Sequence, residues 1–173
     1  EDGREMSVAE ILDALDAFPA RLVEVTGGEP LLQPETPQLV SLLCDKWSPV
    51  LLETNGSLSL ERLDGRVIVV MDIKCPGSGM SGHMRWENIA LLKPLDEVKF
   101  VLSDRRDYEW ALDVVEKYRL DTRHAVHLSP AFGLLEPALL ASWMLEPTRT
   151  RHINVRLQLQ THRYIWPRVE RGV

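Results

Sequence analysis

The sequence predicts an α/β fold in which parallel strands curl into a partial (βα) TIM-like barrel. Two observations carry this reading. Short apolar runs bounded by turn residues alternate along the whole chain with stretches of helical periodicity. The run Val67-Ile68-Val69-Val70-Met71-Asp72-Ile73 is apolar almost throughout, as a central strand covered on both faces must be. Alternation with short connections implies right-handed crossovers and a working edge at the C-terminal ends of the strands. With 173 residues, 45% of them hydrophobic, the chain is long enough to bury one core, and nothing marks a boundary within it. A single domain over residues 1–173 is expected.

Each element has its own signal. Ser7-Val8-Ala9-Glu10 is a capping box, worth about 1 kcal/mol to the helix it opens. Ile11, Leu12, Leu15 and Phe18 then recur on one helical face until Pro19 ends the pattern. Arg21 to Val25 reads as the first strand, and Gly27-Gly28 lets the backbone turn sharply after it. A second helix spans Pro37 to Lys46, with Leu39, Val40, Leu42 and Leu43 apolar and Cys44 an inert packing residue. Pro49 to Thr54 is a strand closed by the turn signal Asn55-Gly56, and the central strand follows. After the loop Cys75 to Met80 come a short helix, Asn88 to Leu92, and a strand, Glu97 to Leu102. A helix from about Arg106 to Tyr118 turns Trp110, Val114 and Val115 inward. The pattern ends with strand Ala125 to Ser129, helix Pro137 to Leu145 and a last strand, Ile153 to His162.

Composition excludes several classes of function. The net charge is -6 and the basic residues are scattered, which argues against a nucleic-acid surface. No apolar run has membrane-spanning length and no signal peptide is visible, so no membrane partner and a cytoplasmic location are expected. Two distant cysteines, Cys44 and Cys75, make neither a disulfide framework nor a metal-binding pair.

Polar residues gather where the strands end. Glu24 and Thr26, Glu53, Asp72 and Lys74, Lys99, then Arg156, Gln158, Gln160 and His162 all fall within predicted strands or at their C-terminal tips. Inside a barrel such groups must pair with one another or face a wet, ligand-filled cavity. An internal salt-bridge network, such as Glu24 or Glu53 with Lys99 or Arg156, is the alternative for any one of them. For Asp72 with Lys74 it is a strand-end ion pair, and for Ser129-Pro130 simple turn chemistry. His162 could equally cap the last strand.

Thr26-Gly27-Gly28-Glu29-Pro30 resembles the motif with which radical S-adenosylmethionine enzymes hold the amino group of the cofactor's methionine. Glu53-Thr54-Asn55-Gly56, Asp72-Ile73-Lys74-Cys75-Pro76-Gly77-Ser78-Gly79-Met80 and the late string from Gln158 to Trp166 agree with one branch of that superfamily. In this order and spacing they resemble the 7-carboxy-7-deazaguanine synthases, which act in queuosine and deazapurine biosynthesis. The resemblance covers nearly the whole chain. It implies a radical S-adenosylmethionine barrel and a lyase in which a 5′-deoxyadenosyl radical takes hydrogen from 6-carboxy-5,6,7,8-tetrahydropterin, whose ring contracts with loss of ammonia.

Carried over position by position, the resemblance gives Gly27, Gly28 and Glu29, then Asp72, Ile73 and Lys74, and the loop Ser129, Pro130, Ala131 and Phe132 to the cofactor. Thr26, Gln160, His162 and the terminal Val173 would contact the substrate. No acid, base or nucleophile can be assigned as catalytic. The family also needs a [4Fe-4S] cluster on three cysteines and Mg2+, and the ligands of both are expected on a loop upstream of Glu1, after a first strand absent from this sequence. The strand Arg21 to Val25 would then be an unpaired sheet edge unless another chain covers it. An electron-donor protein such as a flavodoxin and a homodimer are the implied partners. The Asp72-Ile73-Lys74 string also occurs in activases that make a glycyl radical on a partner protein, and a non-catalytic S-adenosylmethionine-binding or scaffold fragment is the reading from a different class.

Overall fold

Strand follows strand in chain order across one six-stranded parallel sheet. The computed structural model describes residues 3–146 and 152–167, and the strands are β1 (Val23–Val25), β2 (Val50–Thr54), β3 (Ile68–Asp72), β4 (Glu97–Leu102), β5 (Ala125–Pro130) and β6 (Arg156–Leu157). Between and around them run helices α1 (Val8–Leu15), α2 (Thr36–Lys46), α3 (Asn88–Leu91), α4 (Arg105–Tyr118), α5 (Pro137–Met144) and α6 (Thr161–Ile165). Among the described residues β1 pairs only with β2 and β6 only with β5, so the sheet is an open, partial barrel, as expected.

The period-two pattern of the strands separates two faces. On one, Val50, Leu52, Val69, Met71, Val98, Phe100, Val126 and Leu128 are buried against Val40 and Leu43 of α2, Leu112 and Val115 of α4 and Leu140 of α5. The other face carries Glu53, Val70, Lys99 and His127 and remains half-open. This corrects one expectation. β3 is interior to the sheet, but its inner face is not sealed, because Ile68 and Val70 are only half-buried and Val70 lines a cavity.

At the N-terminus the capping box forms, with Glu10 N–H donating to Ser7 Oγ and Ser7 N–H donating to Glu10 Oε2. Leu12 and Leu15 pack on the core, whereas Phe18 lies beyond the helix and is exposed.

Buried polar side chains hold the loops in place. Asn88 donates to the carbonyls of Gly56 and Leu58, at 3.0 and 2.8 Å, fixing the chain that leaves β2. Asp107, in the first turn of α4, accepts from Gly77 N–H at 2.8 Å and Ser103 N–H at 3.0 Å, tying the loop after β3 to the loop after β4. Asp96 accepts from Val69 N–H and from both nitrogens of Lys93 at the opposite end of the sheet.

The last strand is much shorter than Ile153 to His162. Only His127↔Arg156 and Leu128↔Leu157 pair, with Gln158 N–H adding one bond to the Leu128 carbonyl. Beyond it the chain turns into α6, so Gln160 precedes a helix and His162 lies inside it rather than on a strand. Strand β5 continues through Pro130, so Ser129 and Pro130 belong to the sheet and the loop proper begins at Ala131. No described helix is long and apolar enough to cross a membrane.

Candidate active site

The loop after β1 is built by its glycines. Gly27 and Gly28 take φ values of 99° and 24°, and a Cβ placed on either would meet nothing within 4 Å. The backbone here is both left-handed and open to close approach, which an L side chain would deny. Glu29 then turns back on the sheet. Its carboxylate accepts from Thr54 Oγ1 at 2.8 Å, Asn55 N–H at 2.7 Å and Leu31 N–H at 3.1 Å. Glu29 therefore clamps the first loop to the tip of β2, and its carboxylate is occupied by the protein itself.

Next to it, three strands converge on Glu53. Lys99 Nζ on β4 lies 2.5 Å from Glu53 Oε1 and Thr26 Oγ1 donates to Glu53 Oε2 at 3.2 Å. Burial pushes the Glu53 carboxyl up, but the hydrogen bond and charge of Lys99, with help from Thr26 and Lys74, outweigh it and hold the group below its usual range. Glu24, one pleat earlier on β1, behaves oppositely. Burial raises it, as does the neighbouring Glu53 carboxylate.

Glu24, Glu53 and Lys99 line a cavity of about 360 Å³ on the inner face of the sheet, and Thr26 stands outside its lining, hydrogen-bonded to Glu53. Ser129, Gln158, Gln160 and His162 close its far side. Gln160 Oε1 accepts from Phe132 N–H at 3.2 Å, and the Phe132 ring meets Tyr164 edge-on at 5.4 Å, joining the loop after β5 to α6. On the rim at β3, Lys74 Nζ sits 2.5 Å from Asp72 Oδ2.

Sequence similarity decides the family. The 7-carboxy-7-deazaguanine synthase of Chlorobaculum tepidum is 44% identical over 176 residues, covering 100% of this chain and 78% of that protein. Those of Koribacter versatilis and Clostridium acetobutylicum are 40% and 35% identical, over 99% and 97% of the chain and 80% and 76% of their own lengths. The chain belongs to the 7-carboxy-7-deazaguanine synthase family. No model of a protein family matches it. In fold, it resembles Streptococcus suis SuiB, in complexes with its precursor peptide SuiA and with S-adenosylmethionine. The TM-scores are 0.62 and 0.58 at 13% identity, over 92% and 94% of this chain but only 43% and 44% of SuiB.

Within this family member, Thr26, Gly27, Gly28, Lys74, Ser129, Gln160 and His162 are brought to one edge or the cavity below it. The ion-pair alternatives are realised too: Glu53 binds Lys99 and Asp72 binds Lys74, while Arg156 is exposed and does not line the cavity. Val173 lies outside the described residues. Sequence reasoning did not single out Glu97 and His127, although both line or adjoin the cavity floor, with His127 Nε2 2.9 Å from Glu97 Oε2. Their period-two spacing from Lys99 and Ser129 was the available signal.

Two buried polar atoms test whether S-adenosylmethionine suits this edge. Asp72 Oδ1 and Ser129 Oγ have no hydrogen-bond partner among the described residues, although both are out of contact with solvent. Buried acceptors and hydroxyls are ordinarily satisfied, so these two, at the same sheet edge as the open glycine backbone, fit a polar ligand with donors and a carboxylate. An iron–sulfur cluster does not fit the residues present. It needs three thiolates, and this sequence has two cysteines, Cys44 on α2 and a buried Cys75 whose thiol burial pushes well up. Among the described residues no group of three or more His, Cys, Asp or Glu side chains could hold a metal ion.

Proposed function

We propose that this chain carries the cofactor- and substrate-binding part of an enzyme that converts 6-carboxy-5,6,7,8-tetrahydropterin to 7-carboxy-7-deazaguanine with loss of ammonia. The observation that carries the reading is the presence at one sheet edge of the open Gly27-Gly28 backbone and two buried polar atoms without partners among the described residues, Asp72 Oδ1 and Ser129 Oγ. Family membership makes this edge the place to look for S-adenosylmethionine, which in this superfamily supplies the radical that removes a substrate hydrogen.

The residues have separate tasks. Gly27 and Gly28 offer bare main chain to the amino-acid end of the cofactor. Lys74 uses one ammonium proton on Asp72 and keeps two for the cofactor carboxylate. Ile73, Ser129, Pro130, Ala131 and Phe132 hold the remainder, with the Phe132 ring over adenine. Glu29 serves them by clamping its loop. Thr26, Gln160, His162 and Val173 hold the pterin in the cavity and keep water from it, which matters because a primary carbon radical attacks any C–H bond in reach. A [4Fe-4S] cluster, Mg2+, a flavodoxin-type electron donor, a homodimer and a cytoplasmic setting complete the proposal.

Isothermal calorimetry on the 173-residue chain tests the cofactor assignment, and anaerobic turnover of the pterin by the complete gene product tests the reaction. Saturable S-adenosylmethionine binding and ammonia release support the reading. Absence of both overturns it.

A further inference from the structure

The Thr26–Glu53–Lys99 chain fixes a direction of hydrogen bonding that the family assignment does not supply. A threonine hydroxyl has one proton and two lone pairs, while an ionised carboxylate can only accept. Thr26 Oγ1 lies 3.2 Å from Glu53 Oε2, and the second Glu53 oxygen is taken by Lys99 Nζ at 2.5 Å. Lys99 is mostly buried, with its side chain 18% exposed, so the pair is poorly screened by solvent. Glu53 Oε2 therefore offers the exposed Thr26 hydroxyl an acceptor and no donor.

We propose that Lys99 is a positioning residue: by pairing with Glu53 it turns the Thr26 hydroxyl into a hydrogen-bond acceptor toward the ligand, so that the site selects a heterocycle presenting an N–H there. The inference deepens the pterin reading and rests on it for the ligand's identity. The lowered Glu53 carboxyl agrees with it, because a protonated Glu53 would release the Thr26 proton and reverse the selection. Other titratable groups around the cavity are Glu24 on β1, Lys74 beyond β3, Glu97 on β4, His127 on β5 and His162 on α6. Among the described residues only Lys99 reaches Glu53 within ion-pair distance.

The test combines Lys99→Met, Thr26→Val and the double variant. Two readouts are used: fluorescence-monitored binding of 6-carboxypterin, an oxidised analogue that keeps the pyrimidinone N–H, and NMR titration of the Glu53 side-chain carboxyl. Each single variant is expected to weaken 6-carboxypterin about tenfold, and the double variant no further, since groups acting as one unit do not add. Lys99→Met should also raise the Glu53 midpoint and move the acid limb of binding to higher pH. Lys99→Arg should restore both, and S-adenosylmethionine affinity should stay unchanged throughout. Additive losses, or an unmoved Glu53 titration in Lys99→Met, overturn the proposal. If the wild type fails to bind 6-carboxypterin while the Glu53 midpoint still moves, the positioning stands and the pterin reading falls.

Discussion

Glu29 shows how a residue can belong to a binding motif and yet spend its charge on the protein. Three donors from the first two loops and the tip of β2 occupy its carboxylate. Glu29→Ala should cost about 2 kcal/mol in urea denaturation, as loss of hydrogen bonds to a charged group does, and an unchanged midpoint would refute the clamp. Lys74→Ala should act differently. It leaves the buried Asp72 carboxylate unpaired, so some loss of melting temperature is expected, and in the folded variant it weakens S-adenosylmethionine by about tenfold, the equivalent of one charge-assisted hydrogen bond. Equal affinity by calorimetry would remove Lys74 from the cofactor site. At the far end of the sheet, His124 is buried, with Nδ1 3.2 Å from the Asp96 carbonyl and Nε2 unbonded among the described residues. Burial, then the nearby Arg123 charge, lowers its pKa from 6.5. A lowered folded-state pKa contributes stability that is complete above the unfolded value and is lost as pH falls from about 6.5 through the folded value. The melting temperature should therefore drop between pH 7 and pH 5, and less steeply in His124→Gln. An equal slope in the variant would exclude His124 as a source.

Among the elements, the loop after β3 depends on a contact that glycine alone permits. A Cβ at Gly77 would sit 2.5 Å from Asp107 Oδ2, so Gly77→Ala must displace either that carboxylate or the loop. The expected cost is about 1–3 kcal/mol by thermal or urea unfolding. A neutral result would mean that the loop adjusts freely. The sequence was most informative about elements whose signals are local. The capping box at Ser7 formed as read, and strand Glu97–Leu102 agrees residue for residue, because alternation along it matches a ladder with neighbours on both sides. The last strand misled for the converse reason. Val155, Leu157 and Leu159 alternate as a strand should, but an edge needs a partner to continue, and β5 supplies only a short ladder before Gln160 bonds to Phe132 and α6 begins. Tertiary pairing, which periodicity does not contain, set that boundary.

Across the whole molecule, the motif strings located the edge, and the protein's internal pairings were harder to read. Nothing in the local sequence says that Glu53 chooses Lys99 rather than Arg156; that follows from β2, β3 and β4 standing side by side while β6 lies at the rim. The strand order has a mechanical corollary. Among the described residues each strand forms ladder bonds only with its predecessor and successor in the chain, so the tips of the first, third and fifth share none. A small molecule spanning Gly28, Asp72 and Ser129 would be a cross-tie among segments otherwise coupled only through intermediaries, and its arrival should slow amide exchange in strands it never contacts.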